Sequence, residues 1–158
     1  MQFRKGCKLW WLLVPVLALD RISKRAAVAL LAPDGVKTAI TGIFSWAYTL
    51  NQGAAFSILS GRSLFLILLT VGLIAALIAY QLRHPENAAA ERIGLWCIVG
   101  GGLGNLWDRI IYGYVIDFIR LDFVDFAVFN VADVFVCAGA ALVALSTLHA
   151  EIRRTENG

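Results

Sequence analysis

From Leu64 to Tyr80 the chain runs for seventeen residues without one Asp, Glu, Lys, Arg or His. In hydrocarbon no water is available to bond a backbone N–H or C=O, so such a segment must satisfy its own peptide groups, as a helix does. At about 1.5 Å per residue it spans about 25 Å, and its flanks extend it to the roughly 30 Å of a bilayer core. Composition carries the same message along the whole chain. Of 158 residues 59% are hydrophobic and 16% charged, with a mean hydropathy of +0.74, whereas a soluble domain has about a quarter charged. An integral membrane protein is expected.

Three further apolar stretches are interrupted by polar residues. The first contains Asp20, Arg21, Lys24 and Arg25, the third runs through Gly100-Gly101-Gly102-Leu103-Gly104-Asn105, and the fourth carries Asn130 and Asp133 near its start. The pattern predicts helices over about 9–30, 64–82, 93–111 and 126–148, forming a four-transmembrane-helix bundle of the membrane all-α class in a single domain, 1–158. The basic start, Arg4, Lys5 and Lys8 before Leu9, also suits a signal peptide; with no small-x-small cleavage site after it, the segment reads as a retained first helix.

The connection between helices one and two, about 33–61, has β character. Val36 to Ile40 and Ile43 to Leu50 are rich in β-branched and aromatic residues, with Gly42 as a breaker and Asn51-Gln52-Gly53 as a turn. It predicts a small sheet at the outer surface, with Phe44, Trp46, Tyr48 and Phe56 in the membrane interface. Arg83 to Arg92 reads as a cytoplasmic loop. Tyr112 to Asp125, alternating apolar residues with charges, suits a segment along the bilayer surface covering a site between helices. The fourteen Lys and Arg residues divide evenly between the two sides. Several on the outer side stand beside Asp20, Asp108 or Asp117 and read as paired, which places both termini in the cytoplasm.

Against this background Asp117 and Asp133, sixteen residues apart, demand a reason. Two carboxylates sharing a site do not both ionise easily, so one proton is held between them near neutrality. Such a pair can hydrolyse a peptide: the ionised member takes a proton from water and the other donates to the carbonyl oxygen. The plainer alternative makes Asp117 a loop carboxylate and pairs Asp133 with Arg109 or Arg120. Asn130 and Asp133 share a helical face, as do Asn105 and Asp108, with Arg109 one turn beyond Asn105. Asn130 would orient Asp133 or a substrate peptide, while Asn105, Asp108 and Arg109 read as interhelical glue, with Asp108 and Arg109 as an ion pair. Asp20 and Lys24, four apart, read as a structural pair or as a holder of a lipidated substrate. Gly100 and Gly104 permit close helix approach. Cys7, Cys97 and Cys137 lack metal or disulfide spacing, and His84 and His149 lie apart. Nothing in the pattern calls for a metal, a cofactor or nucleic acid.

Five segments in this order resemble the bacterial lipoprotein signal peptidases, also called signal peptidase II or prolipoprotein signal peptidases. They are Asp20-Arg21-Ile22-Ser23-Lys24, Asn51-Gln52-Gly53-Ala54-Ala55-Phe56, Gly101 to Arg109, Val115-Ile116-Asp117-Phe118 and Phe129-Asn130-Val131-Ala132-Asp133. The resemblance implies an inner-membrane aspartic endopeptidase that cuts prolipoproteins just before a diacylglyceryl-modified cysteine, with its site near the periplasmic face and the β-rich loop periplasmic. It implies a catalytic Asp117 and Asp133, a supporting set of Asn51, Gly53, Asn105, Asp108, Arg109 and Asn130 with Asp20 and Lys24, no cofactor, and inhibition by globomycin. Its partners would be lipid-modified prolipoproteins and the phospholipid bilayer. Val134 after Asp133, and the lack of a proline before Phe129, depart from the family's pattern. The rival readings are a small proton-coupled transporter or channel subunit, and a purely structural subunit.

Overall fold

The structure is a computed structural model and describes residues 6–32, 35–53 and 63–156. Phe56, with the rest of the Ala54-Ala55-Phe56 motif, and Arg4, Lys5 and Arg62 lie outside the described residues, as do the side chains of Cys7 and Lys8.

The fold is mostly helical with a small antiparallel sheet. Helix α1 spans Leu13–Leu31 and follows a 3-10 segment, Gly6–Leu12, so the α-helical part starts later than the expected residue 9. Pro15 accounts for the change, since it lacks an N–H for the Trp11 carbonyl and its ring crowds that group. Helix α1 buries Val16, Asp20, Lys24, Ala27 and Leu31. That is one stripe at helical spacing, in which Asp20 and Lys24 face inward while Val14, Leu19 and Ile22 point out.

Helix α2, Ser63–Arg83, has Leu66 and Gln81 as its buried residues and a mean hydropathy of 2.5 over its most apolar window. Helix α4, Val131–Glu156, reaches 2.1, and both are long and apolar enough to cross a membrane. Helix α3, Ala89–Tyr112, starts before the expected residue 93. The alanine run read as loop is a good helix start, and Glu91 in its first turn complements the helix dipole.

Two expectations are corrected at α4. Its N-terminus is Val131, not residue 126, because Phe129 is tied to the chain before it: Phe129 N–H donates to the Ile119 carbonyl at 3.0 Å. Its end is Glu156 rather than 148, since backbone bonding continues past the apolar window, with a Glu151–Arg154 pair at 3.7 Å.

Strands β1, Val36–Ile40, and β2, Phe44–Asn51, match the expected hairpin around Gly42. The third strand was not expected. Tyr112 to Asp125 is no simple surface segment: Val115–Leu121 forms β3 and pairs antiparallel with β2, giving the order β1-β2-β3. The sheet therefore joins the connection after α1 to the one after α3. Gly113, at φ +80°, caps α3 and turns the chain into β3. Ile116 and Phe118 pack against Ala27 and Leu31 of α1, leaving Val115 and Asp117 on the other side of the strand.

Helices α3 and α4 pack antiparallel through small residues. A Cβ on Gly94 would lie 2.6 Å from the Gly139 carbonyl oxygen, and two turns on, a Cβ on Gly101 would collide with the carbonyl oxygen of Ala132. Gly101→Val is therefore expected to lower stability by about 1–3 kcal/mol. Gly72→Ala on α2, where nothing lies within 4 Å, is expected to be neutral or slightly stabilising. Thermal melting in detergent measures both; equal effects would contradict the packing described.

Candidate active site

The interlocked backbones bring four segments to one point. The Ile119–Phe129 bridge pins the approach to α4 against β3, with Phe129 accepting from Phe118 N–H at 3.0 Å and from Ile119 N–H at 2.8 Å. Asn130 is thereby set beside Asp117 and becomes the N-cap of α4. Its Oδ1 accepts from Asp133 N–H at 3.1 Å, and its own N–H donates to Asp133 Oδ2 at 3.1 Å. This is a reciprocal capping box. The three-residue spacing thus marks a helix start rather than a mid-helix face.

The Asn130 side chain also donates to Asp117 Oδ1 at 2.6 Å. One fully buried residue holds both carboxylates. Asn51, opposite Val115 in the β2–β3 register, reaches diagonally to donate to Asp117 Oδ2 at 2.9 Å. Asn51 Oδ1 accepts from Gly53 N–H at 2.9 Å, which makes the expected turn. On α3, Asn105 Nδ2 donates to Asp133 Oδ1 at 2.7 Å. Each oxygen of both carboxyl groups therefore faces an N–H donor.

Asp117, Asp133, Asn51, Asn105 and Arg109 line one cavity of about 540 Å³, walled by Leu121, Phe126 to Phe129, Val134, Cys137 and Ala138. Polar groups occupy one side and an apolar surface the other, which suits a peptide attached to apolar chains. Burial pushes the Asp117 carboxyl up to about 6; Asn51 and Asn130 pull it down, and neighbouring Asp133 pushes it further up.

The other expected residues are placed as follows. Arg109 Nη2 donates to the Gly53 carbonyl at 2.9 Å, holding the loop after β2. Asp108 faces α1 and meets Arg21 Nη1 at 2.6 Å and Lys24 Nζ at 2.8 Å. The expected Asp108–Arg109 pair is thus corrected, because successive helical residues point about 100° apart. Asp20 meets Lys24 at 2.9 Å, as its spacing suggested, and Arg21 at 2.7 Å. Gly104 admits this group: its carbonyl accepts from Arg21 at 3.0 Å, and a Cβ there would stand 2.7 Å from Asp20 Oδ2. Arg120 pairs with Asp122 at 2.8 Å rather than with Asp133. Sequence reasoning left out the apolar wall and the bridging role of Arg21. The signal available for the wall was the apolar run Phe126 to Phe129 directly before the cap.

The fold is shared with membrane enzymes. Two solved structures described as bacterial membrane enzymes, obtained by the in meso method, superpose with TM-scores of 0.81 and 0.80 at 27% identity. The first match covers 90% of this chain and 89% of the other; the second covers 94% and 97%. The family model for signal peptidase (SPase) II matches residues 12–149. Lipoprotein signal peptidases of Streptococcus pyogenes serotypes M5 and M3 are 44% and 43% identical over 133 residues, 84% of this chain and 88% of theirs. The chain belongs to the signal peptidase II family and is a membrane peptidase. The transporter and structural-subunit readings are set aside.

Because Asp117 keeps its proton to higher pH when folded than when unfolded, the folded state binds more protons between about pH 4 and 6. Stability therefore falls as pH rises through that window. Asp117→Asn is expected to remove that part of the slope. Melting curves against pH check this; an unchanged slope would contradict it.

Proposed function

We propose that the chain is an aspartic endopeptidase that removes signal peptides from diacylglyceryl-modified prolipoproteins, cutting just before the lipidated cysteine. The observation that carries this reading is that Asp117 and Asp133 line one cavity and are both held by Asn130. The pair holds one proton between two carboxylates. The ionised member takes a proton from water as it attacks the scissile carbonyl, and the protonated member donates to the carbonyl oxygen. The tetrahedral intermediate then collapses, a proton passes to the leaving nitrogen, and the signal peptide departs with a new carboxyl terminus. Acyl chains in the bilayer and the apolar wall would hold the peptide so that positioning supplies much of the rate.

Asn51, Asn105 and Asn130 orient the carboxyl groups, and Arg109 holds Gly53 at the rim. Asp20, Lys24 and Asp108, with Arg21, tie α1 to α3. In this reading α1 and α3 complete four spans of a single domain in the inner membrane. Inward, paired charges on α1 and α3 support that assignment, since polar groups in lipid face the bundle. Both termini are then cytoplasmic, and the sheet and cavity lie at the periplasmic face. Globomycin, by family likeness, would occupy the cavity.

Asp117→Asn and Asp133→Asn are each expected to insert normally and to lose about 10²–10⁴-fold in cleavage rate. A gel-shift assay with lipidated precursor measures it. Full processing by both variants would overturn the proposal.

A further inference from the structure

Lys24 is an ammonium group, 2% exposed, that does not line the carboxyl cavity, and it bonds neither the capping box nor the carboxyl pair directly. It has three partners. Asp20 Oδ1 at 2.9 Å and Asp108 Oδ2 at 2.8 Å supply charge, and the third partner is Asn105 Oδ1 at 2.9 Å. Two carboxylates and two cations, Arg21 and Lys24, already balance in this group, so neutrality does not require the bond to Asn105.

That bond has a direction. Asn105 Oδ1 accepts from Lys24 and also from Asn130 Nδ2 at 3.1 Å, which turns Asn105 Nδ2 towards Asp133 Oδ1 at 2.7 Å. With the amide reversed, an NH2 group would face an ammonium. A cation on the oxygen of an amide draws electron density from its nitrogen and strengthens the N–H as a donor. Asn130 holds the same oxygen but is neutral, so Lys24 alone supplies the charged end of the chain.

We propose that Lys24 is a positioning residue for hydrolysis, acting through Asn105: held by Asp20 and Asp108, it fixes the Asn105 amide and polarises the N–H that bonds Asp133. The inference rests on the dyad reading and gives the Asp20, Lys24 and Asp108 group a role in the chemistry besides packing. Removing the ammonium alone would leave the two buried carboxylates with Arg21, and loss of fold would then hide any effect on rate. Asp20→Asn combined with Lys24→Met leaves one anion and one cation, Asp108 and Arg21, and keeps the group neutral.

The test is a double-mutant cycle in kcat and KM on lipidated precursor. It uses wild type, Asp20→Asn/Lys24→Met, Asn105→Ala and the combination of all three, each checked by melting temperature. Lys24→Gln in place of Met, with Asp20→Asn, serves as a second background that matches Met in length and carries a neutral donor. Loss of the charge-assisted bond is expected to lower kcat about 10-fold or more, with KM within about threefold. Asn105→Ala should then cost far less in that background than in wild type, because the two positions act in series. Gln should recover part of the rate lost with Met. Wild-type kcat in the charge-balanced variants, or strictly multiplicative losses with Asn105→Ala, would overturn the inference and leave Lys24 a packing residue. Neither result depends on whether Asp117→Asn and Asp133→Asn retain cleavage, so failure of this inference and failure of the dyad are distinguishable.

Discussion

A buried carboxyl group persists only where protein N–H groups replace the water it has lost. Here that replacement comes from three carboxamides on three elements: Asn51 from β2, Asn105 from α3 and Asn130 at the cap of α4. Each must also satisfy its own oxygen. Asn51 uses Gly53 N–H, Asn105 uses Lys24 and Asn130, and Asn130 uses Asp133 N–H. The acids, their donors and the donors' partners form one connected set, so displacing a single member leaves others unpaired in a medium where that is costly.

The rest of the fold reads as support for this set. Small residues let α3 and α4 approach until Asn105 reaches Asp133, and Gly104 lets the α1 charges reach α3. The Ile119–Phe129 bridge and the Gly113 turn align β3 with the start of α4. Burying Asp20, Lys24 and Asp108 between α1 and α3, with Arg21 half-buried beside them, is a poor source of net stability, because desolvation offsets much of the attraction. It is a good source of definition, since Asp108 meets its partners in only one helix register.

Much of this was legible in the sequence where the signal was local. The apolar run of α2, the β1–β2 hairpin with its Gly42 break and the Asp20–Lys24 spacing all depend on neighbours a few residues away. Strand β3 was missed because its partner, β2, lies more than sixty residues earlier and its charges masked the alternation. Asp108 and Arg109 were paired by adjacency in the chain, though helix geometry sends them to different neighbours. Asn130 and Asp133 carried the spacing of a cap as well as that of a face, and only the bridge through Phe129 decided between them. The third bond of Lys24 had no local signature, because it is a contact between α1 and α3 made after both are placed.

The proposed mechanism requires one proton held between the two acids. Infrared spectroscopy of protein carrying 13C-labelled aspartate, in lipid, can register a protonated carboxyl group by its carbonyl stretch. One such band should be present at mildly acidic pH, titrate near the value of about 6 set by burial of Asp117, and disappear when Asp117 is replaced by Asn. If every aspartate proves ionised from pH 5 upwards, or the band survives that replacement unaltered, the two acids do not share a proton and the hydrolytic role assigned to them is wrong.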